Sequence, residues 1–143
     1  MIEDINKIQD SIIEEFSVFD SWMDKYEYII DLGKSLEPIE EVEKIDENLI
    51  KGCQSRIWLI CKEKDGKLFF SADSDAIITK GIVALLIKVY NGQEIKDIIE
   101  SKLYFIDEIG LSANLSPTRA NGLNSMIDKI RFYALAFNTK NTL

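Results

Sequence analysis

The chain has 143 residues, of which 46% are hydrophobic and 29% charged, the composition of one globular domain covering residues 1–143. Lys plus Arg is 17 and Asp plus Glu is 25, and the net charge of −8 excludes a phosphate-tracking nucleic-acid binder. The absence of histidine and the presence of only Cys53 and Cys61 exclude imidazole acid–base chemistry, histidine-ligated or four-cysteine zinc, and the disulfide framework of a small secreted protein.

The first residues, MIEDINKIQD, are too charged for a signal peptide. The longest uncharged apolar run, residues 82–87, is far short of the about 20 residues that span a bilayer. A soluble, cytoplasmic protein without a membrane partner is the expectation.

In chain order, Ile2, Ile5, Ile8, Ile12 and Phe16 recur at helical spacing. A second helix is expected from Asp20 or Ser21, with Asp24 completing a weak capping box. It would bury Trp22, Tyr26, Ile29 and Ile30 and end at Gly33. Residues 37–51 lose the period and, with Pro38 and six acidic residues, read as an extended solvated connection from which Leu49 and Ile50 enter a strand.

Residues 56–62 alternate as a strand, Ile57, Leu59 and Cys61 on one face and Trp58 and Ile60 on the other. Asp65-Gly66 is a tight hairpin turn, and residues 68–73 return as the partner strand. Trp58, Phe69 and Phe70 are expected in the core. Ser74 or Asp75 should cap a central, mostly apolar helix that stops near Asn91-Gly92. Two short helical pieces follow within residues 93–110. Ser116-Pro117 then opens a long last helix burying Leu123, Met126, Ile127, Ile130, Ala134 and Phe137. Gly81 and Gly122, inside helices, point to close helix packing. The architecture is α+β, a small antiparallel sheet packed against helices.

One residue stands out chemically. Cys53 lies in Lys51-Gly52-Cys53-Gln54-Ser55-Arg56, where glycine permits a sharp turn and two cations flank the thiol. A free thiol is only about 3% thiolate at neutral pH, and nearby cations raise that fraction. Two readings stand: a reactive, accessible thiolate, or a buried loop cysteine beside two solvated cations. Cys61, mid-strand on the apolar face, reads as a packed thiol.

Three motifs in register now carry a resemblance. Gly52-Cys53-Gln54-Ser55 with Ile57-Trp58-Leu59, Asp73-Ser74-Asp75-Ala76 with Lys80-Gly81, and Leu115-Ser116-Pro117-Thr118-Arg119 with Gly122-Leu123 together resemble the SufE family. Threonine stands at position 118, where the family often has serine. The resemblance implies the compact fold shared with U-type scaffold proteins. It also implies a sulfur acceptor that takes persulfide sulfur onto Cys53 from a pyridoxal-phosphate-dependent, SufS-like cysteine desulfurase. The acceptor stimulates that enzyme and passes sulfur to a SufBCD-like iron–sulfur scaffold complex, with no cofactor of its own. Persulfide transfer resembles thiol–disulfide exchange and needs one accessible thiolate, no histidine and no metal. Apolar walls around Cys53 and a loop that moves on docking would protect such a persulfide.

The other matched residues each have two readings. Arg119, a cation at the positive end of a helix, either stabilises a sulfur anion or pairs structurally with Asp73 or Asp75. Asp73 and Asp75 either cap the central helix or, with Gly52, Gln54 and Ser55, contact the desulfurase. A protein that activates the desulfurase without carrying sulfur is the alternative to the carrier. A cluster scaffold is a third reading, for which two thiols are few.

Overall fold

The computed structural model describes residues 4–142. Ile2 lies outside them. Helix α1 (Ile5–Phe16) begins where the Asp4 carboxylate accepts the Lys7 N–H at 2.9 Å, and it buries Ile5, Ile12 and Phe16. Gln9 is buried with them. Its amide donates to the Lys102 carbonyl at 3.0 Å and accepts from the Tyr104 N–H at 2.9 Å, which staples α1 to a distant turn. Helix α2 (Trp22–Lys34) starts at Ser21, whose hydroxyl accepts the Asp24 N–H at 3.2 Å.

The sheet is a hairpin with a short third strand. Strand β1 (Ile57–Lys64) pairs antiparallel with β2 (Lys67–Ser74), from Ile57 opposite Ser74 to Lys64 opposite Lys67. Asp65 and Gly66 turn the chain with φ of 55° and 78°, the left-handed pair that a two-residue hairpin demands. Helix α3 (Ile77–Tyr90) follows, and Ile78, Ile82, Val83, Leu85, Leu86 and Val89 place most of its circumference in the core. Strand β3 (Gln93–Glu94) returns alongside β2 as the sheet's other edge. Three short helices, α4 (Ile95–Glu100), α5 (Phe105–Glu108) and α6 (Leu111–Asn114), lead to α7 (Pro117–Thr142). Ser116 caps α7 through the Arg119 N–H at 3.3 Å, and Leu123, Met126, Ile130 and Ala134 form its buried face.

Several expectations need correction. Gly33 does not end α2. It lies in the helix against α3, where a Cβ would stand 2.7 Å from the Gly81 nitrogen. Neither Ser74 nor Asp75 caps α3: Ala76 occupies the cap position without a side-chain bond, because both side chains are used by the loop before β1. The connection before β1 is not simply extended, since it makes two 3-10 turns, Glu41–Glu43 and Asp46–Asn48, before Leu49 bridges Trp58. Strand β3 and helix α6 are too short to leave a periodic signal. Phe69 is exposed and Trp58 only half-buried, because alternation turns both away from the face that buries Phe70 and Leu59.

The α2–α3 contact yields a prediction with an unusual sign. A Cβ on Gly81 would lie 2.2 Å from the Ile29 carbonyl oxygen, a backbone atom that cannot yield alone. Helix propensity alone favours Gly→Ala by about 1 kcal/mol. Gly81→Ala should instead destabilise the protein by about 3 kcal/mol, read as a lower urea midpoint. An unchanged or raised midpoint would show that the two helices part easily.

Candidate functional site

Cys53 is carried on a loop held at both ends by backbone. Upstream, the Ile50 N–H donates to the Ile57 carbonyl at 2.8 Å. Downstream, the Arg56 N–H donates to the Asp75 carboxylate at 3.0 Å and the Ser74 hydroxyl donates to the Arg56 carbonyl at 2.8 Å. Closing a loop this short between fixed ends forces a left-handed residue, and Gly52 supplies it with a φ of 90°.

The loop sets the Cys53 sulfur, half-buried, against the first turns of α7. The thiol donates to the Gly122 carbonyl at 3.6 Å. Burial pushes the Cys53 thiol above its ordinary value, and the Ser125 hydroxyl works in the opposite direction. Lys51 and Arg56 are exposed and are not among the causes acting on Cys53.

Above the sulfur lies a cavity of about 440 Å³. Its buried side is apolar, from Ile57, Ile82 and Met126, while Thr118 and Arg119 are exposed at its mouth. The walls are therefore mixed rather than wholly apolar. Gln54 and Ser55 line the same cavity as Cys53 and Arg119, so four of the seven residues singled out in the sequence converge there. Gly52 does not line the cavity, and a Cβ there would meet the Ser125 Oγ at 2.8 Å.

Arg119 does not find the partner expected for a structural role. Its guanidinium donates to the Tyr26 hydroxyl at 3.5 Å, and among the described residues it has no ion pair with Asp73 or Asp75. Asp73 is 8% exposed and tied to Lys44 at 3.1 Å, Lys80 at 3.2 Å and the Ser74 N–H at 2.8 Å. Burial alone would raise its carboxyl, but Lys44, Ser74 and Lys80 outweigh it, and the group titrates below the ordinary carboxylate range. Little of Asp73 is left for a partner to touch, whereas Asp75 remains exposed. Cys61 is half-buried in β1, and burial with Glu63 nearby pushes its thiol up to about 12. Both cysteines are free thiols.

Sequence reasoning missed Ser125, Thr79 and Tyr26. Ser125 had a readable signal, because it follows Gly122 by three positions and so shares its helix face. Thr79 and Tyr26 had none, since each reaches the site only through the packing of α3 and α2.

The family model described as SufE, a domain associated with Fe-S metabolism, matches residues 10–134. The chain belongs to the SufE family. Uncharacterised SufE-like proteins of Rhizobium meliloti (strain 1021) and Rhizobium etli are each 39% identical over 127 residues. The alignments cover 85% of this chain and 91% and 86% of those proteins. The fold matches the solution structure of a hypothetical protein from Thermus thermophilus, with a TM-score of 0.75 at 16% identity. That match covers 92% of this chain and 96% of the other. The SufE match contains the Cys53 loop, the hairpin, α3 and the start of α7, all the elements that build the cavity. Membership brings with it involvement in iron–sulfur metabolism. Among the described residues no helix is long and apolar enough to cross a membrane.

Two outcomes follow from these environments. Alkylation of Cys53 in the free protein should be slower at neutral pH than that of an unfolded cysteine. It should accelerate beyond the ordinary thiol value of about 8.5, with Cys61 reacting later still; peptide-level mass spectrometry reads both. The Asp73 cluster should contribute stability above the unfolded carboxyl value of about 3.9 and lose it as pH falls through the lower folded value. Asp73→Asn should cost about 2 kcal/mol at neutral pH and flatten the acid limb of the stability curve. An acid limb identical to that of the parent would remove Asp73 as its source.

Proposed function

We propose that this protein is a sulfur carrier, accepting persulfide sulfur on Cys53 from a pyridoxal-phosphate-dependent cysteine desulfurase and delivering it for iron–sulfur cluster assembly. The observation that carries the reading is the Cys53 sulfur itself, half-buried at the base of an open cavity within the matched SufE domain. The chemistry is an exchange at sulfur. The Cys53 thiolate attacks the outer sulfur of the desulfurase persulfide, the sulfur–sulfur bond of that persulfide breaks, and the desulfurase cysteine leaves as a thiolate. One sulfane sulfur moves and no net oxidation occurs, so neither metal nor redox partner is required.

The residues of the chain divide the remaining work. Ile57, Ile82 and Met126 keep bulk water and stray thiols from the inner sulfur. An outer sulfur would stand about 2 Å beyond Sγ. Arg119 is the charged side chain on the cavity wall and would meet an anion arriving there. Asp75, through its bond to the Arg56 N–H, fixes the loop that presents Cys53 and faces solvent where a desulfurase would approach. Gln54 and Ser55, next to the thiol in the chain, would be covered by the same partner.

The raised Cys53 thiol favours a second reading, in which the protein activates the desulfurase by binding and never carries sulfur. Intact-protein mass spectrometry after incubation with desulfurase and cysteine, without reductant, separates the two. The carrier gains sulfur, the gain maps to Cys53, and Cys53→Ser abolishes both the gain and the stimulation of the enzyme. No added sulfur with stimulation intact in Cys53→Ser would leave the binding module standing.

A further inference from the structure

The buried wall of the Cys53 cavity is apolar except at one position. Of the side chains on it, Ile57, Ile82 and Met126 carry no strong donor, whereas Thr79, 7% exposed, carries a hydroxyl. A threonine in a helix commonly donates its hydroxyl to a carbonyl of the preceding turn. Thr79 does not: among the described residues its side chain has no hydrogen-bond partner. Packing alone gives no reason for it. Valine has the same shape and a similar helix propensity, and it would bury no unpaired hydroxyl. The helix that carries Thr79 is fixed, because Gly81, two residues on, abuts the Ile29 carbonyl. An unused donor is thus held on the wall of the space that Cys53 also lines.

The Cys53 sulfur rests against the backbone of α7, 3.6 Å from the Gly122 carbonyl. A second sulfur bonded to it, about 2 Å farther out, enters the cavity rather than the helix. A persulfide is more acidic than its parent thiol, so the outer sulfur is anionic at neutral pH. An anion against apolar walls needs a donor. We infer that Thr79 holds the transferred sulfur: its hydroxyl, unpaired on the buried wall, donates a hydrogen bond to the outer sulfur carried by Cys53. The inference rests on the carrier reading and deepens it by naming the group that receives the cargo. The charged groups around the cavity are already placed. Arg119 of α7 stands at the mouth, bonded to Tyr26, and Lys51 and Arg56 of the loop are exposed. Asp75 holds the Arg56 N–H, and Asp73 and Lys80 are paired with each other. A substitution at Thr79 alters none of these charges.

The test loads the free full-length protein with sodium tetrasulfide under anaerobic conditions, in a Cys61→Ser background so that one cysteine reports. The Cys53 thiolate attacks a sulfur of tetrasulfide, one sulfur–sulfur bond breaks and trisulfide leaves, so one sulfur moves without net oxidation. The ionisation midpoint of the persulfide is then read from its near-ultraviolet absorbance against pH. A donor favours the anion, so Thr79→Val should move that midpoint up by about one pH unit. Thr79→Ser, which keeps the hydroxyl, should follow the parent. Iodoacetamide alkylation of the unloaded thiol should keep one pH midpoint in all three proteins, because the hydroxyl meets the outer sulfur and not Sγ. Equal persulfide midpoints in parent and Thr79→Val would overturn the inference, as would the same shift in Thr79→Ser or a matching shift of the unloaded thiol. A parent Cys53 that takes no sulfur from tetrasulfide would overturn it too. Because no desulfurase takes part, the shift can appear even if that enzyme never loads Cys53. Loading by the desulfurase without the shift would sink the role of Thr79 alone.

Discussion

The arrangement depends first on a close approach of two helices. Gly33 of α2 and Gly81 of α3 bring backbone against backbone, and any side chain at Gly81 would enter the Ile29 carbonyl. That contact sets where the N-terminal end of α3 stands. The residues just before α3, Ser74 and Asp75, hold the downstream end of the Cys53 loop, and Thr79 and Ile82 from its first turns line the cavity. Tyr26, in the facing part of α2, reaches Arg119 at the start of α7. The loop, α3 and α7 thus line one cavity, with α2 reaching its Arg119, and two glycines let α2 and α3 close.

Half-burial of the Cys53 sulfur is a compromise between two requirements. A thiolate that attacks readily must be solvated or paired with a donor or a cation, whereas a sulfur that survives must be shielded from water and from other thiols. Here the shielding dominates in the free protein: burial raises the thiol, and no cation is among the causes that oppose it. Under the carrier reading, a partner that covers the mouth of the cavity would meet a sulfur held ready but largely protonated. The clamps at Ile50, Arg56 and Asp75 then matter because they limit how far the loop can lift when that partner docks.

Much of this is legible in the residues, and the departures have physical reasons. Periodicity finds α1, α2, the hairpin, α3 and α7, because each has a face whose burial the pattern must respect. The cap at Ser116 and the turn at Asp65-Gly66 follow from local chemistry and hold in the structure. Gly33 misleads because a glycine near a helix terminus looks the same whether it turns the chain or admits a neighbour. Ser74 and Asp75 mislead because the loop residue that uses them, Arg56, lies 18 and 19 residues earlier in the chain. At the site, Cys53, Gln54, Ser55 and Arg119 do come together, while Lys51 and Arg56 point to solvent and do not line the cavity. Adjacency in sequence does not tell which way side chains leave a loop turned by a left-handed glycine.

The protein's charge explains why its site takes the form it does. In a chain of net charge −8, bases are scarce and several are committed elsewhere. Lys44 and Lys80 are engaged by Asp73, where they neutralise a buried carboxylate and fasten the acidic connection and α3 to the end of β2. Lys88 is held by Glu15, and Lys129 lies over the rings of Phe132 and Tyr133. Arg119 is thus the charged side chain left on the cavity wall, held by a neutral tyrosine rather than a carboxylate. A guanidinium bonded only to a hydroxyl keeps its full charge and several donors for an incoming anion. Pairing it with Asp75 would have neutralised that charge. Under the carrier reading, an Arg119 without that pairing gives the cavity its cation, at the positive end of a helix where local rules alone disfavour one.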